Sequence, residues 1–363
     1  MPSYIHALET ATPAYSYSQS EIRDRMKEIV PASDKDKRII HYLYSRSGID
    51  NRHSVINDFR QKGSQTLFFN GEGAYPGTER RNDLYIREAK KLFVEAARSL
   101  IENSDFEADQ ITHLITVSCT GFYAPGPDFD IIRALNLNPS IERYHLGFMG
   151  CYASIPAIKM ADQICRANKD ANVMVVSVEL CTIHFQANPE PDSILSASVF
   201  ADGGAGFIMS NKKPTGKKGI AVHGFASTIL EKGKDDMAWS IGDKGFSMVL
   251  SSYIPDLLKE GIDEFLNPAL DRFGITTEQI EQWCVHPGGR AILDRIEEAV
   301  QLPPDALDAS RKVLSGYGNM SSATILFVLR ELQQQTHQKE NSRILAMAFG
   351  PGLTMETALL SHC

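Results

Sequence analysis

Apolar positions follow two different periods along this chain. Helical spacing runs through Leu84, Leu92, Phe93, Ala96 and Leu100, with Asn82 placed to cap that helix. The same spacing recurs at Ile155, Ile158, Met160, Ala161, Ile164 and Cys165, near Val249–Phe265, and over Ala323–Leu329. Short runs predict strands at Ile141–Leu146, His113–Ser118 and Asn172–Val178, a strand ending at His286, helices from there to Leu314, and a closing pair of strands. Val199–Met209 reads as a further strand, interrupted by Ala201-Asp202-Gly203-Gly204-Ala205-Gly206. Alternation of strands and helices makes this an α/β chain. The polar, turn-rich stretch Asn211–Gly219 divides 1–210 from 211–363, and Gln61–Arg81, with Gly71, Gly73, Pro76 and Gly77, reads as an irregular loop.

Composition narrows the class. A chain of 363 residues, 43% hydrophobic, can bury a large core and hold two domains or two fused halves. A net charge of −8 argues against a general nucleic-acid binder. The six cysteines form no CxxC pair and no close Cys/His cluster, so no metal site is expected and they read as reduced thiols in a cytoplasm. The longest apolar runs fall far short of the ~20 residues a membrane helix requires. The glycine cluster at 203–206 lacks GxGxxG spacing, so close backbone packing is the better reading.

Chemistry concentrates in three separated segments. In Leu146-Gly147-Phe148-Met149-Gly150-Cys151 a strand-like run meets glycine and then a helix. A sulfur there would sit near free N–H groups and the positive helix end, which favour a thiolate. In Cys284-Val285-His286-Pro287-Gly288-Gly289 a strand delivers His286 to a turn, and in Gly316-Tyr317-Gly318-Asn319 a second turn sets Asn319 before a helix. Each residue alone has an ordinary structural explanation: a buried thiol, a satisfied histidine, a helix cap. Together they supply a nucleophile, a proton carrier and an oxyanion donor, the set thioester chemistry needs.

These segments resemble the type III polyketide synthases, the chalcone and stilbene synthase superfamily. The resemblance is carried by the Cys151 turn, His286-Pro287-Gly288-Gly289, Gly318-Asn319-Met320-Ser321-Ser322-Ala323 and Phe349-Gly350-Pro351-Gly352-Leu353-Thr354. It implies a thiolase-like fold of two related α/β halves in α-β-α-β-α layers, the first carrying Cys151 and the second His286 and Asn319. It implies that Cys151 accepts a starter acyl-CoA and that His286 holds its thiolate as an ion pair. His286 and Asn319 would then stabilise the enolate left when malonyl-CoA loses its carboxylate. Iterative extension and cyclisation to a pyrone or a resorcinol- or phenol-type product would follow. Phe200 matches the gate between CoA tunnel and cavity. No cofactor beyond the CoA substrates, no metal and a homodimer are also implied.

Where the chain departs from plant members, it is similar to bacterial-type ones. Cys181 and His184 stand where chalcone synthases carry small threonines, Trp239 takes the place of a glycine on the elongation-tunnel wall, and Met248 that of a second gate phenylalanine. Cys119, Thr120 and Ser321 map beside the cavity, Ala124 replaces a methionine that reaches the neighbouring subunit, and Ala348 replaces a loop glycine. These changes point away from a chalcone product and toward an aliphatic starter. In the basic stretch Lys35, Lys37, Arg38, Arg46 and Arg52, the closest matches to the family's CoA-phosphate positions are Arg46 and Arg52. Asp34 and Asp36 interleave the charges and equally allow a solvated helix face. The rival within the fold is a single-condensation ketoacyl synthase of the fatty-acid-initiating type, taking malonyl from an acyl carrier protein. Glu179 matches a structural glutamate of the polyketide family, not the acid of a hydroxymethylglutaryl-CoA synthase. A non-catalytic thiolase-like scaffold would have little reason to retain Cys151, His286 and Asn319 together.

Overall fold

The computed structural model describes residues 2–30, 33–61, 66, 68, 75–215, 218–230, 233, 236–251, 253–335 and 339–363. Its strands are β1 (Ser3–Ala11), β2 (Tyr15–Ser18), β3 (Asn51–Ser54), β4 (His113–Ser118), β5 (Glu142–Gly147), β6 (Asn172–Leu180), β7 (Asp202–Ser210), β8 (Ile220–Ile229), β9 (Met237–Gly242), β10 (Gly245–Leu250), β11 (Gln282–Val285), β12 (Arg343–Gly350) and β13 (Thr354–His362). The helices are α1 (Gln19–Ile29), α2 (Asp34–Ser45), α3 (Thr78–Glu102), α4 (Pro127–Leu135), α5 (Ser154–Ala167), α6 (Pro191–Val199), α7 (Ile254–Phe273), α8 (Arg290–Val300), α9 (Asp308–Tyr317) and α10 (Thr324–Gln334).

Nine strands form one sheet in the order β11-β12-β13-β8-β1-β7-β6-β4-β5. The strands before the polar break occupy one side and those after it the other, joined where Ser3–Ile5 pair with Val222–Ile220. Direction repeats across that joint. β1 is antiparallel to β7, β7 to β6, and β6 is parallel to β4; likewise β8 is antiparallel to β13, β13 to β12, and β12 is parallel to β11.

Side-chain alternation builds the layers. Val173 and Val175 on β6, with Ile344, Ala346 and Ala348 on β12, enter one central core that also holds α5 and α10. Their neighbours turn outward, Met174, Val176 and Val178 toward α3, and Leu345, Met347 and Phe349 toward α7 and α8. Strands buried on both faces read as near-continuous apolar runs, which is how β6 and β12 look in the sequence. The two halves of this sheet pack against the same central helices, α5 and α10, and so serve as the two β layers of an α-β-α-β-α stack.

Four boundaries differ from those expected. The first long helix begins at Thr78 with Gly77 at its cap; Asn82 lies inside it and bridges to Phe122, donating to its O at 2.8 Å and accepting from its N at 2.9 Å. Most of the expected 61–81 loop lies outside the described residues, and its last four are already helical. The strand expected over Val199–Met209 is divided: α6 ends at Val199, and β7 starts at Asp202. The helix expected near Val249–Phe265 starts only at Ile254, because Met237–Leu250 forms a hairpin. Among the described residues no helix is long and apolar enough to cross a membrane.

Candidate active site

Cys151 lies in the turn between β5 and α5, three residues ahead of the helix. The turn depends on Gly150, whose φ is +92° and whose missing side chain would stand 2.4 Å from the Pro351 ring. His286 follows β11, held in register by its N–H donating to Met347 O at 2.8 Å. The Pro287-Gly288-Gly289 turn then leads into α8. Asn319 follows α9 through Gly318, at φ +73°, and pairs with Phe200 as an isolated parallel bridge. In that bridge Asn319 N–H donates to Val199 O at 2.9 Å and Ala201 N–H to Asn319 O at 2.8 Å.

All three side chains line one cavity with about 250 Å³ of free space, together with Phe200, Cys119, Thr120, Cys181, His184, Trp239, Met248, Ser321 and Arg52. Every sequence-derived cavity residue is therefore brought together there. Asn319 is oriented by Ser321 N–H, which donates to its Oδ1 at 2.9 Å, while its Nδ2 donates to Gly288 O at 3.2 Å. An amide nitrogen carries two hydrogens, and the second faces the Cys151 thiol, on the side where a ligand carbonyl would lie. Both ring nitrogens of His286 are buried without a hydrogen-bond partner among the described residues.

Burial opposes the resting ion pair expected from the sequence. It pushes the Cys151 thiol up to about 11, partly offset by hydrogen bonds from Ser321 and Asn319, and pulls the His286 imidazolium down to about 3. Both directions favour a thiol beside a neutral imidazole over a preformed ion pair. A neutral imidazole has an acceptor nitrogen, so it can take the thiol proton as the sulfur attacks.

Behind the nucleophile sits a buried carboxyl. Glu179 accepts from Cys119 N–H at 3.0 Å, Cys119 Sγ at 3.2 Å, Thr120 Oγ1 at 2.9 Å and the Ser322 hydroxyl. Burial raises its pKa despite these donors, and burial also raises the Cys119 thiol, next to the Glu179 charge. Cys119 Sγ also lies 3.4 Å from Ser321 Oγ.

His184 is a two-way stitch. Its ring accepts Phe246 N–H at Nδ1 (3.0 Å), which leaves Nε2 to donate to Thr120 O at 2.7 Å. Burial drives it to about 3, so it stays neutral. It stacks on Phe246 at 4.1 Å and meets Trp239 edge-on at 5.5 Å. Trp239 donates to Cys119 O at 2.8 Å and faces Met248 across the β9–β10 hairpin, so both belong to one wall.

The two arginines expected at CoA phosphate part company. Arg46 is exposed at the end of α2, over the Tyr42 ring at 4.9 Å. Arg52 is only 3% exposed, and its Nη1 donates to Ala197 O and Phe200 O at 2.7 Å each. A side chain so placed has no phosphate to meet at the surface, which corrects that expectation. Phe246, Phe349 and Pro351 also line the cavity and were missed. The signal for Phe246 was present: Met237, Trp239 and Ile241, then Phe246, Met248 and Leu250, alternate on either side of Gly242-Asp243-Lys244-Gly245.

A buried cysteine, histidine and amide facing one cavity in this layered α/β fold are the groups an acyl-transferring enzyme of thiolase-like fold would use. Comparison with known families places it further. Residues 2–213 match the N-terminal domain and residues 221–363 the C-terminal domain of the chalcone and stilbene synthases, and the chain belongs to that family. It is a type III polyketide synthase by family, an acyltransferase-type enzyme. Among similar solved structures is PKS-I from the brown alga Ectocarpus siliculosus, 27% identical, TM-score 0.91, covering 100% of this chain and 98% of that one. The C-terminal type III polyketide synthase domain of Steely1, a type I/III hybrid from Dictyostelium, is 25% identical with TM-score 0.90 and covers 99% of each chain. A fungal type III polyketide synthase, ORAS, is 25% identical with TM-score 0.87 over 100% of both.

Proposed function

We propose that this enzyme loads a starter acyl-CoA on Cys151, extends it by repeated decarboxylative condensation with malonyl-CoA, and cyclises the chain to a pyrone or a resorcinol- or phenol-type product. The observation that carries this is the convergence of Cys151, His286 and Asn319, from three distant segments, on one cavity with the imidazole unpartnered. In loading, Sγ attacks the thioester carbonyl as His286 takes the thiol proton, and CoA leaves with a proton in return. In extension, malonyl thioester oxygen accepts from the N–H of the neutral His286 imidazole and from the Asn319 Nδ2 hydrogen that faces Cys151. Loss of CO2 leaves an enolate on those donors, which attacks the acyl-Cys151 carbonyl. Phe200, half-buried at the cavity, gives the malonyl carboxylate an apolar neighbour that disfavours its charge and favours its departure.

Met26, Phe59, Met237 and Leu250 on the cavity wall favour an aliphatic starter. We place the exposed Arg46 at the CoA phosphates and read the enzyme as a cytoplasmic homodimer of two fused halves, 1–210 and 211–363. The deciding experiment is product mass from purified enzyme with malonyl-CoA and a panel of aliphatic and aromatic starter CoAs. Products heavier than the starter by two or more ketide units support iteration. Single condensations, or activity only with malonyl on a carrier protein, would return the enzyme to the ketoacyl synthase reading.

A further inference from the structure

Arg52 sits over the Tyr44 ring at 5.6 Å and feels the Asp202 charge, while its Nε and Nη2 are buried with no hydrogen-bond partner among the described residues. Its one engaged nitrogen, Nη1, holds two carbonyls at the end of α6, Ala197 O and Phe200 O. Helices end with orphan carbonyls, and a cation at that end also meets the negative pole of the helix. Here the orphaning has a cause: Ala201 N–H, which would continue the helix by donating to Ala197 O, instead donates to Asn319 O. The chain leaves α6 in order to pair with Asn319, and Arg52 takes the place of the missing donor.

The stem of the same side chain supports the other partner of the bridge. A β-carbon at Gly318 would lie 2.9 Å from Arg52 Cγ and 3.0 Å from Cδ, so the residue before Asn319 rests directly on it. Arg52 itself is fixed on β3, opposite Tyr17 of β2, and Val55 N–H donates to Asp202 Oδ2 at 2.9 Å, tying the end of that strand to β7.

We propose that Arg52 is a positioning residue for malonyl-CoA decarboxylation, setting the backbone from which Phe200 and Asn319 face the cavity. The proposal rests on the function given above, in which Asn319 stabilises the enolate. It assigns Arg52 no contact with the CoA phosphates.

The test compares wild type with Arg52→Lys and Arg52→Met, reading CO2 release from malonyl-CoA and from a malonyl-pantetheine thioester that lacks the nucleotide phosphates. A misplacement near 1 Å is worth roughly 100-fold in rate, so kcat should fall by about that factor in Arg52→Met, and by less in Arg52→Lys. KM for malonyl-CoA should stay within about threefold, since the Asn319 hydrogen bond gains most of its strength as the enolate charge develops. The loss should be equal with both substrates, and intact mass should still show starter acyl on Cys151. A raised KM with malonyl-CoA and no loss with the truncated thioester would overturn the proposal in favour of a phosphate contact. Unchanged kcat in folded variants would also overturn it. Should Arg52→Met precipitate, Arg52→Lys, which keeps the stem and charge, carries the same comparison. Wild-type enzyme that releases no CO2 would instead refute the underlying function.

Discussion

Gly150→Ala would test whether the turn that presents Cys151 is as tightly determined as its geometry indicates. At φ +92° a residue with a β-carbon loses roughly 1–2 kcal/mol. The new carbon would also stand 2.4 Å from Pro351 Cδ and 3.0 Å from Cγ. Relieving that overlap requires about 1 Å of movement against a ring locked to its own backbone, and overpacking of this kind costs about 1–3 kcal/mol. Together they remove about 2–5 kcal/mol from a stability of order 5–15 kcal/mol. Entropy scaling for a chain of this length converts that to a Tm lower by roughly 3–7 °C. The displacement falls on the residue beside the nucleophile, so acylation of Cys151 by a starter CoA, followed by quenching and intact mass, should slow about 100-fold. Gly316→Ala is the matched control, because nothing lies within 4 Å of its added carbon and it sits inside α9. That substitution should leave acylation unchanged and raise stability by up to about 1 kcal/mol. A Gly150→Ala enzyme that melts and acylates like wild type would refute the account of the turn.

Asn319→Ala should lower CO2 release about 10²–10³-fold while Cys151 still accepts the starter, and unchanged release would remove Asn319 from decarboxylation. Cys151→Ala should carry no acyl adduct at all, so an adduct seen by intact mass would assign the nucleophile elsewhere. Trp239→Ala deletes the hydrogen bond to Cys119 O and opens the hairpin wall, so the product distribution should shift to longer chains; an identical distribution would show that this wall does not limit extension. Acid should weaken the fold beginning near pH 6.5. Burial lowers His184 and His286 to about 3, and His6 and His362 to about 4, so the unfolded chain takes up protons first and stability falls as pH drops through that interval. Asp202, raised by burial to about 6, works in the opposite sense, as do Glu179 and Glu356, also raised by burial. These three carboxyls are set against the four imidazoles together with His145 and His223, which burial lowers too. Urea midpoints that stay flat from pH 7 to 5 would contradict this.

The chemistry was more legible in the chain than the architecture around it. His286 and Asn319 stand beside glycine turns that mark strand and helix ends, and the turn at Gly150 carries a positive φ that its sequence advertises. The hairpin was lost because its apolar alternation runs directly into Tyr253-Ile254-Pro255, where helical spacing begins, and the two periods overlap in a short window. Asn82 has a residue type that favours caps, but its side chain is engaged with the Phe122 backbone, a contact that local sequence does not encode. Arg52 was misread for a deeper reason. In sequence, arginine in a basic stretch signals surface, and nothing local records that its acceptors are carbonyls 145 and 148 positions away.

The repeated strand directions have a consequence for how labour is divided between the halves. β4 and β11 occupy matching places, and the residue that leaves each is Cys119 in one half and His286 in the other. α5 and α10 match as well, preceded by the turns carrying Cys151 and Asn319. The two runs of strands thus deliver unlike groups from matching places in the sheet to one cavity. A symmetric substrate site would have two equivalent nucleophiles and no direction. In the proposed reaction, asymmetry of side chains on repeated strand order would give the condensation its sense, with the acyl group held by the segment carrying Cys151 and the enolate steadied by those carrying His286 and Asn319.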